Sequence, residues 1–404
     1  MTAIYSPVMK LRASEMQALK MLSTPVKENI IPVIQLLPIK DEIEQLKYLS
    51  TRVRELLGAF IGSNMKFYAD FDLIESDSSS DLSYISKFLS MVSQQQIGFI
   101  PVITFVQESP AYLQLIKDNY LHHGICVKPP QYRLRTVAID IFCNYLNDAL
   151  SSYMKHFNID ESMVDILLDL NFIDHFDFDP SDDGFTLPER IIQIISGISN
   201  KEKFRSIIIS GGSFPEDLTG YVQDTETYSA RHEWDIWKEI RAALPDLPLR
   251  YADYGNIHPT FNPQQESHQG TCSIKYTTED DFLVYKGRLS NKHEDGHGQY
   301  VNKSKALLVN PVYSGPNFSW GDKMINDIAN GITPPVKTRK TLTRRTSTRK
   351  SSNQTEPKIP TGNAGQWVQF TFNHHMTKIT QLMGVSVVEI VVGNSSFQLD
   401  LLSR

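Results

Sequence analysis

Four aspartates stand near the ends of short apolar runs: Asp70 and Asp72 in FYADFDLI, Asp169 in VDILLDLNFI and Asp253 in LRYADYG. Carboxylates so placed can transfer protons as general acids and bases, or hold Mg²⁺ or Mn²⁺ through oxygen. Cations occupy comparable places, with Lys10 and Arg12 after YSPVM and Lys128 in GICVKP. Asp70 and Asp72, like Asp169 and Asn171, lie two residues apart, and period-two alternation puts such a pair on one side of a strand. Read in order, the run ends carry Lys10 and Arg12, Gln35, Asp70 and Asp72, Thr104 and Gln107, Lys128, Asp169 and Asn171, Ser210 and Ser213, and Asp253 with Tyr254. If these ends converge, Asp70, Asp72, Asp169 and Asp253 form a catalytic set facing anion-binding cations. The competing reading is a network of salt bridges that only closes the end of a barrel.

The elements that must position these residues are read from periodicity. Short apolar runs cover residues 5–11, 30–37, 67–74, 98–105, 124–129, 164–173, 206–213 and 249–255, and helix-length amphipathic segments separate them. Strands buried on both faces and alternating with helices make a parallel sheet. Eight of them in about 260 residues match an α/β fold of the TIM-like (β/α)8 barrel type, in which reactive groups gather at the C-terminal ends of the strands. The alternative, an open doubly wound sheet, lacks here the glycine-rich fingerprint expected after its first strand.

The pattern changes after residue 260, so the expected division is a barrel over 1–260 and a C-terminal α+β cap over 261–404 that covers the barrel mouth. The cap is read as a hairpin from SIKY and FLVY, helices near 301–308 and 322–330, an ordered QWVQFTFN segment leading into a helix from HHMTKITQLMGV, and a final strand VVEIVVG. His258, Lys286, Arg288, His374 and His375 would then roof the acidic cluster. With Lys10, Arg12, Lys128, Ser213 and Tyr254 they complete the expected substrate-binding set. A stretch at about 333–362 reads as a disordered basic loop. Its cations Lys337, Arg339, Lys340, Arg344, Arg345, Arg349 and Lys350 could hold nucleic-acid phosphates, although no interleaved aromatics suggest base stacking.

Other motifs say less. Gly211-Gly212-Ser213 follows the seventh run, where barrels often bind phosphate through backbone N–H groups, but a plain strand–helix turn explains it equally well. No H-E-x-x-H exists, the metal is left unassigned with Mg or Mn as the candidates, and Cys126 reads as a buried core thiol. The net charge of −6 gives no general reason to expect nucleic acid or membrane. Three scattered cysteines, no signal-like start and no long apolar run lead to the expectation of a soluble cytoplasmic protein.

YSPVMKLRASEMQAL, SGGSFP, RHEWDIW, ADYGNIHP, IKYT…LVYKGR and GNAGQW…NHHM, in that order, resemble the beta family proteins of bacteria and phages. That resemblance implies no assigned activity, and it implies a role in conflict between phage and host. The expected function is therefore a component of an anti-phage defence system, as an enzyme acting on a phosphorylated, nucleotide-like or other anionic substrate at the barrel rim. The alternative is a non-catalytic sensor that recognises nucleic acid or a partner protein through the barrel top and the basic loop.

Overall fold

The structure, a computed structural model, describes residues 4–74, 79–104, 109–262, 270–332 and 361–387. Strands β1 (Tyr5–Lys10), β2 (Val33–Gln35), β3 (Lys66–Asp70), β4 (Gly98–Thr104), β5 (Ile125–Lys128), β6 (Val164–Phe172) and β7 (Ser206–Gly212) pair in parallel. After β8 (Glu226–Ala230), which lies elsewhere, β9 (Leu249–Asp253) fits between β7 and β1 and closes the barrel. Each strand answers to one of the eight apolar runs, so the expected (β/α)8 barrel is what the chain forms.

Helices α1 (Ala13–Lys20), α2 (Thr24–Glu28), α3 (Glu42–Phe60), α4 (Ser79–Gln94), α5 (Pro110–Asn119), α6 (Gln131–Thr136), α7 (Ile139–Phe157), α8 (Leu187–Ser196) and α9 (His232–Ala243) belong to this half of the chain. Helix α8 shows how local sequence sets them. Thr186 and Glu189 cap each other's backbone N–H groups, and Leu187, Ile191, Ile194 and Ile195 are buried. Such a cap stabilises a helix by about 1 kcal/mol. Between β5 and β6 the helical stretch is broken into α6 and α7 at Val137, which is extended. Arg190 meets carbonyls at the break, donating to Leu134 and Val137.

Strands β8, β10 (Ile274–Thr277) and β11 (Asp281–Tyr285) form an antiparallel sheet in the order β10-β11-β8. The expected hairpin is β10–β11. Its third strand comes from the segment between β7 and α9, so the sheet draws on both sides of residue 260. Helices α10 (Gln299–Val309), α11 (Trp320–Ala329) and α12 (Ala364–Leu382) pack around it. QWVQFTFN is the first half of α12, not a separate element: Asn363 and Gln366 form a capping box, and Trp367, Phe370, Thr371 and His374 follow helical spacing. Asn373 ties α12 to α1 and α11 through Ala18 O and the Gly321 N–H, each at 2.9 Å. No described helix is long and apolar enough to cross a membrane. The basic cations from Lys337 to Lys350 and all of VVEIVVG after Val387 lie outside the described residues.

Candidate functional site at the barrel mouth

Inside the barrel, Val8, Val33, Tyr68, Ile100, Val102, Cys126, Leu167, Ile208 and Ala252 make an apolar layer. At the N-terminal end Asp165 accepts from Tyr68, Arg205 and Ser206, which plugs the barrel bottom. One period further along each strand comes the top layer: Lys10, Gln35, Asp70, Thr104, Lys128, Asp169, Ser210 and Tyr254. Register makes it a ring, since Lys10 pairs with Gln35, Gln35 with Asp70, Thr104 with Lys128, and Asp169 with Ser210. Every strand contributes one polar side chain, and all eight are buried.

Lys128 is the hub. Its ammonium lies 3.2 Å from Asp70, 3.0 Å from Asp72 and 3.1 Å from Asp169. Burial opposes its charge, but Asp70, Asp169 and Asp72 outweigh that cost and hold its pKa well above the ordinary value. Asp70 is itself pushed up by burial, despite Lys128, with Asp72 adding to the rise. Tyr254 donates to Asp169 at 2.6 Å, and Gln35 donates to Asp70 at 3.2 Å. Asp72 lies past the end of β3, in a turn where its N–H donates to Asp70. Asn171 stands likewise on Asp169, in the left-handed region at φ 56°, where β6 shifts register against β7.

Lys10 differs from Lys128. It is 3% exposed, and among the described residues no carboxylate lies within ion-pair distance of its ammonium. Burial pulls it down to about 8, against the Glu15 and Asp169 carboxylates, with Arg12 adding to the lowering. Its ammonium lies 5.9 Å from the centre of the Tyr254 ring. Three neighbours in the ring also want partners: Gln35 Oε1, Thr104 Oγ1 and Ser210 Oγ are buried without a hydrogen bond. Over β4–β6 the mouth opens as a cavity of about 60 Å³ lined by Asp72, Thr104, Lys128, Gln131, Asp169 and Asn171.

Several expected site residues lie elsewhere. Asp253 has the opposite parity to Tyr254 and faces the helices, where it accepts from Tyr5 at 2.6 Å and meets His375 Nε2 at 2.9 Å. Burial would raise its pKa, but His375, Arg231 and Tyr5 hold it at about 2. Asp253 is therefore not a mouth carboxylate. Ser213 bonds Glu233 at 2.5 Å, and its N–H goes to the same carboxylate, so no donor is left there for phosphate. Gly211 and Gly212 lie within β7, where a Cβ would come within 2.3 Å of Ile173 and 3.0 Å of Pro259. Close packing explains those glycines.

His374 and His375 sit in the middle of α12, fully buried, and not at a helix start over the mouth. His374 stacks on Tyr276 and meets Asp322 at 2.8 Å, while His375 bridges Asp253 and Thr277. Trp367 stacks on Tyr300. Lys286 donates to Tyr221 O at 2.8 Å, and Arg288 is exposed near Asp224. Of the expected roof only His258 stays near the mouth. Its ring packs tilted against Phe172, with the ring centres 4.8 Å apart, and its pKa is lowered by burial and by Lys10. Arg12 lies at the rim, 3.7 Å from Glu15. Lys128 belongs to the mouth, but its contacts are internal carboxylates, so it is no free anion clamp. Arg339, Lys340, Arg344, Arg345, Arg349 and Lys350 lie outside the described residues, as does Gln107.

Among the described residues no group of three or more His, Cys, Asp or Glu is placed to hold a metal ion. The three converging carboxylates close on Lys128, whose ammonium takes the place a divalent cation would need. The thiol of Cys126 is pushed up by burial, which suits a core residue.

The sequence matches the family described as Beta protein over residues 5–381. The chain belongs to that family. No curated protein matches it. Among solved structures, the YdjI aldolase from Escherichia coli K12 is similar over 62% of this chain and 75% of that one, at 7% identity and a TM-score of 0.32. So distant a likeness says nothing further of this chain, whose barrel stands on its own strand pairing. Glu15, Glu233, Arg231 and Tyr5 are among the polar residues that sequence reasoning gave no role. Gln35, Thr104 and Ser210 stood among the strand ends and also went unassigned.

Proposed function

We propose that the chain is an enzyme acting on a small anionic substrate at the mouth of its barrel, in a bacterial or phage conflict system. One observation carries the site: a closed polar ring in which, among the described residues, Lys10 has no carboxylate within ion-pair distance while Gln35 Oε1, Thr104 Oγ1 and Ser210 Oγ lack hydrogen-bond partners. A buried polar group left unpaired costs about 1–3 kcal/mol, so a ligand that satisfies several of them binds with a matching gain. Lys10, with Arg12 at the rim, takes the negative charge, and His258, whose cationic form is disfavoured, can only donate a hydrogen bond there. Asp70, whose carboxyl is pushed up, and the Tyr254–Asp169 pair supply groups that can accept and return a proton. The mouth cavity of about 60 Å³ is well below the roughly 300 Å³ at which small-molecule sites begin. Of the unpaired ring groups Thr104 lies on its wall, so it takes no more than a headgroup, and the body of a nucleotide would remain outside.

The test incubates the protein with a panel of sugar phosphates, nucleotides and small organic acids and follows each by mass spectrometry. Consumption by the wild type that falls at least about 100-fold in Lys10→Met and in Tyr254→Phe is the expected result. Binding without consumption would select the sensor reading. Neither binding nor consumption across the panel would remove the site. The conflict role rests only on the resemblance to beta family proteins of bacteria and phages, and it is checked by plating phage on cells that carry the wild type or Asp70→Asn. Equal plating on both contradicts it.

A further inference from the structure

Beside the barrel, and sharing no lining residue with its mouth, is a larger cleft of about 510 Å³. It lies between the loops after β7 and β9, strand β10 and helix α12. Leu218, Ile257, Val368 and Trp367 line it with apolar surface, Lys275 and Lys286 bring two ammonium groups to its wall, and Glu216 and Asp217 line it as well, with Asp217 close enough to Lys286 to feel its charge. Lys286 is provided for by the carbonyls of Tyr221 and Thr219. Lys275 is not. Among the described residues its ammonium makes one hydrogen bond, 3.5 Å long, to Asn256 O, and it sits 4.2 Å from the centre of the Phe214 ring. Among the described residues no carboxylate comes within ion-pair distance of it.

We propose that this cleft is a second ligand site, which takes an organic anion with an apolar body and pairs its negative headgroup with Lys275. Lys275 is half-buried, and an ammonium partly withdrawn from water without a counter-ion is costly, so a bound carboxylate or phosphate monoester supplies the missing charge. The cleft volume falls within the range of about 300–1,000 Å³ typical of small-molecule sites. Phe214 favours the cation through its ring face without neutralising it, so the charge stays available. In the absence of ligand, burial alone pulls Lys275 down to about 8, which makes its amine unusually reactive towards acylating reagents near neutral pH.

That reactivity provides the measurement. The full-length protein is treated at pH 8 with the N-hydroxysuccinimide ester of acetic acid, and acetylation of each lysine is read by peptide mass spectrometry. Hexanoate, phenyl phosphate and neutral hexanol are the probes. The expected result is about tenfold protection of Lys275 at ten times the dissociation constant of hexanoate or of phenyl phosphate, with none from hexanol. Protection by only one of the two anions names the headgroup. No protection by either, or equal protection by hexanol, overturns the proposal. Lys275→Met is expected to bind neither anion by calorimetry, and undiminished binding there also overturns it. If that variant does not fold, the wild-type footprint still decides.

Discussion

At the scale of single residues, Lys128 and Lys10 make the contrast on which the site depends. Lys128 is locked by three carboxylates, so its removal leaves uncompensated buried charge. Lys128→Met is expected to destabilise the protein by about 3–5 kcal/mol in urea unfolding, the cost of breaking a buried ion pair. A loss below about 1 kcal/mol would show that the cluster is wetter than its burial implies. Lys10 behaves differently because its pKa is lowered to about 8. Its charged form is penalised in the folded state. The lowered pKa therefore costs stability below pH 8, and the cost fades as pH rises from about 8 towards the unfolded value of 10.5. Anion binding runs the other way, since only the ammonium attracts the ligand. Affinity for the mouth anion is expected to fall as pH rises through about 8 in the wild type, and to show no such limb in Lys10→Met. A titration by calorimetry between pH 6 and pH 10 checks both.

At the scale of elements, strands β3, β6 and β9 end alike. Asp70, Asp169 and Asp253 each accept the N–H two residues on, from Asp72, Asn171 and Gly255. The turn is shared but the parity is not, and so Asp253 works on the outer wall as the anchor of α12. Asp253 is held at about 2 against an ordinary 3.8, so its share of stability is complete above pH 4 and is lost as pH falls towards 2. That share is on the order of 2 kcal/mol. Acid unfolding of Asp253→Asn is expected to lack this part of the wild-type profile, and His375→Ala should lose most of it too. Gly255 has φ 63°, and a Cβ there would lie 2.2 Å from the Phe372 ring of α12. Gly255→Ala is accordingly expected to lower stability by about 1–3 kcal/mol through strain and overpacking, read as a drop in Tm.

At the scale of the whole molecule, the barrel was legible because its eight strands are unbroken apolar runs such as SIIIS, and because helices separate them with regular spacing. The ring at the mouth was legible as a set of strand ends, since every one of its residues lies at one. Their inward direction was not always legible: β9 ends in adjacent polar residues, Asp253 and Tyr254, and only pairing with β1 and β7 decides which one enters the barrel. The roles of His374 and His375 were hidden for another reason. Their partners Asp322, Thr277 and Asp253 lie 52 to 122 residues away in sequence. The third strand of the cap sheet, β8, was missed because its residues alternate between exposed and half-buried and so give no apolar signal.

The central claim is that the barrel mouth is a ligand site organised by Lys10 and its unpaired neighbours. Native mass spectrometry of the protein as purified from its host tests it most directly, with wild type and Lys10→Met compared. The expected spectrum shows the wild type carrying a small anionic adduct that the variant has lost, with both proteins folded. A wild type without any adduct, or an adduct retained in full by Lys10→Met, would contradict the account.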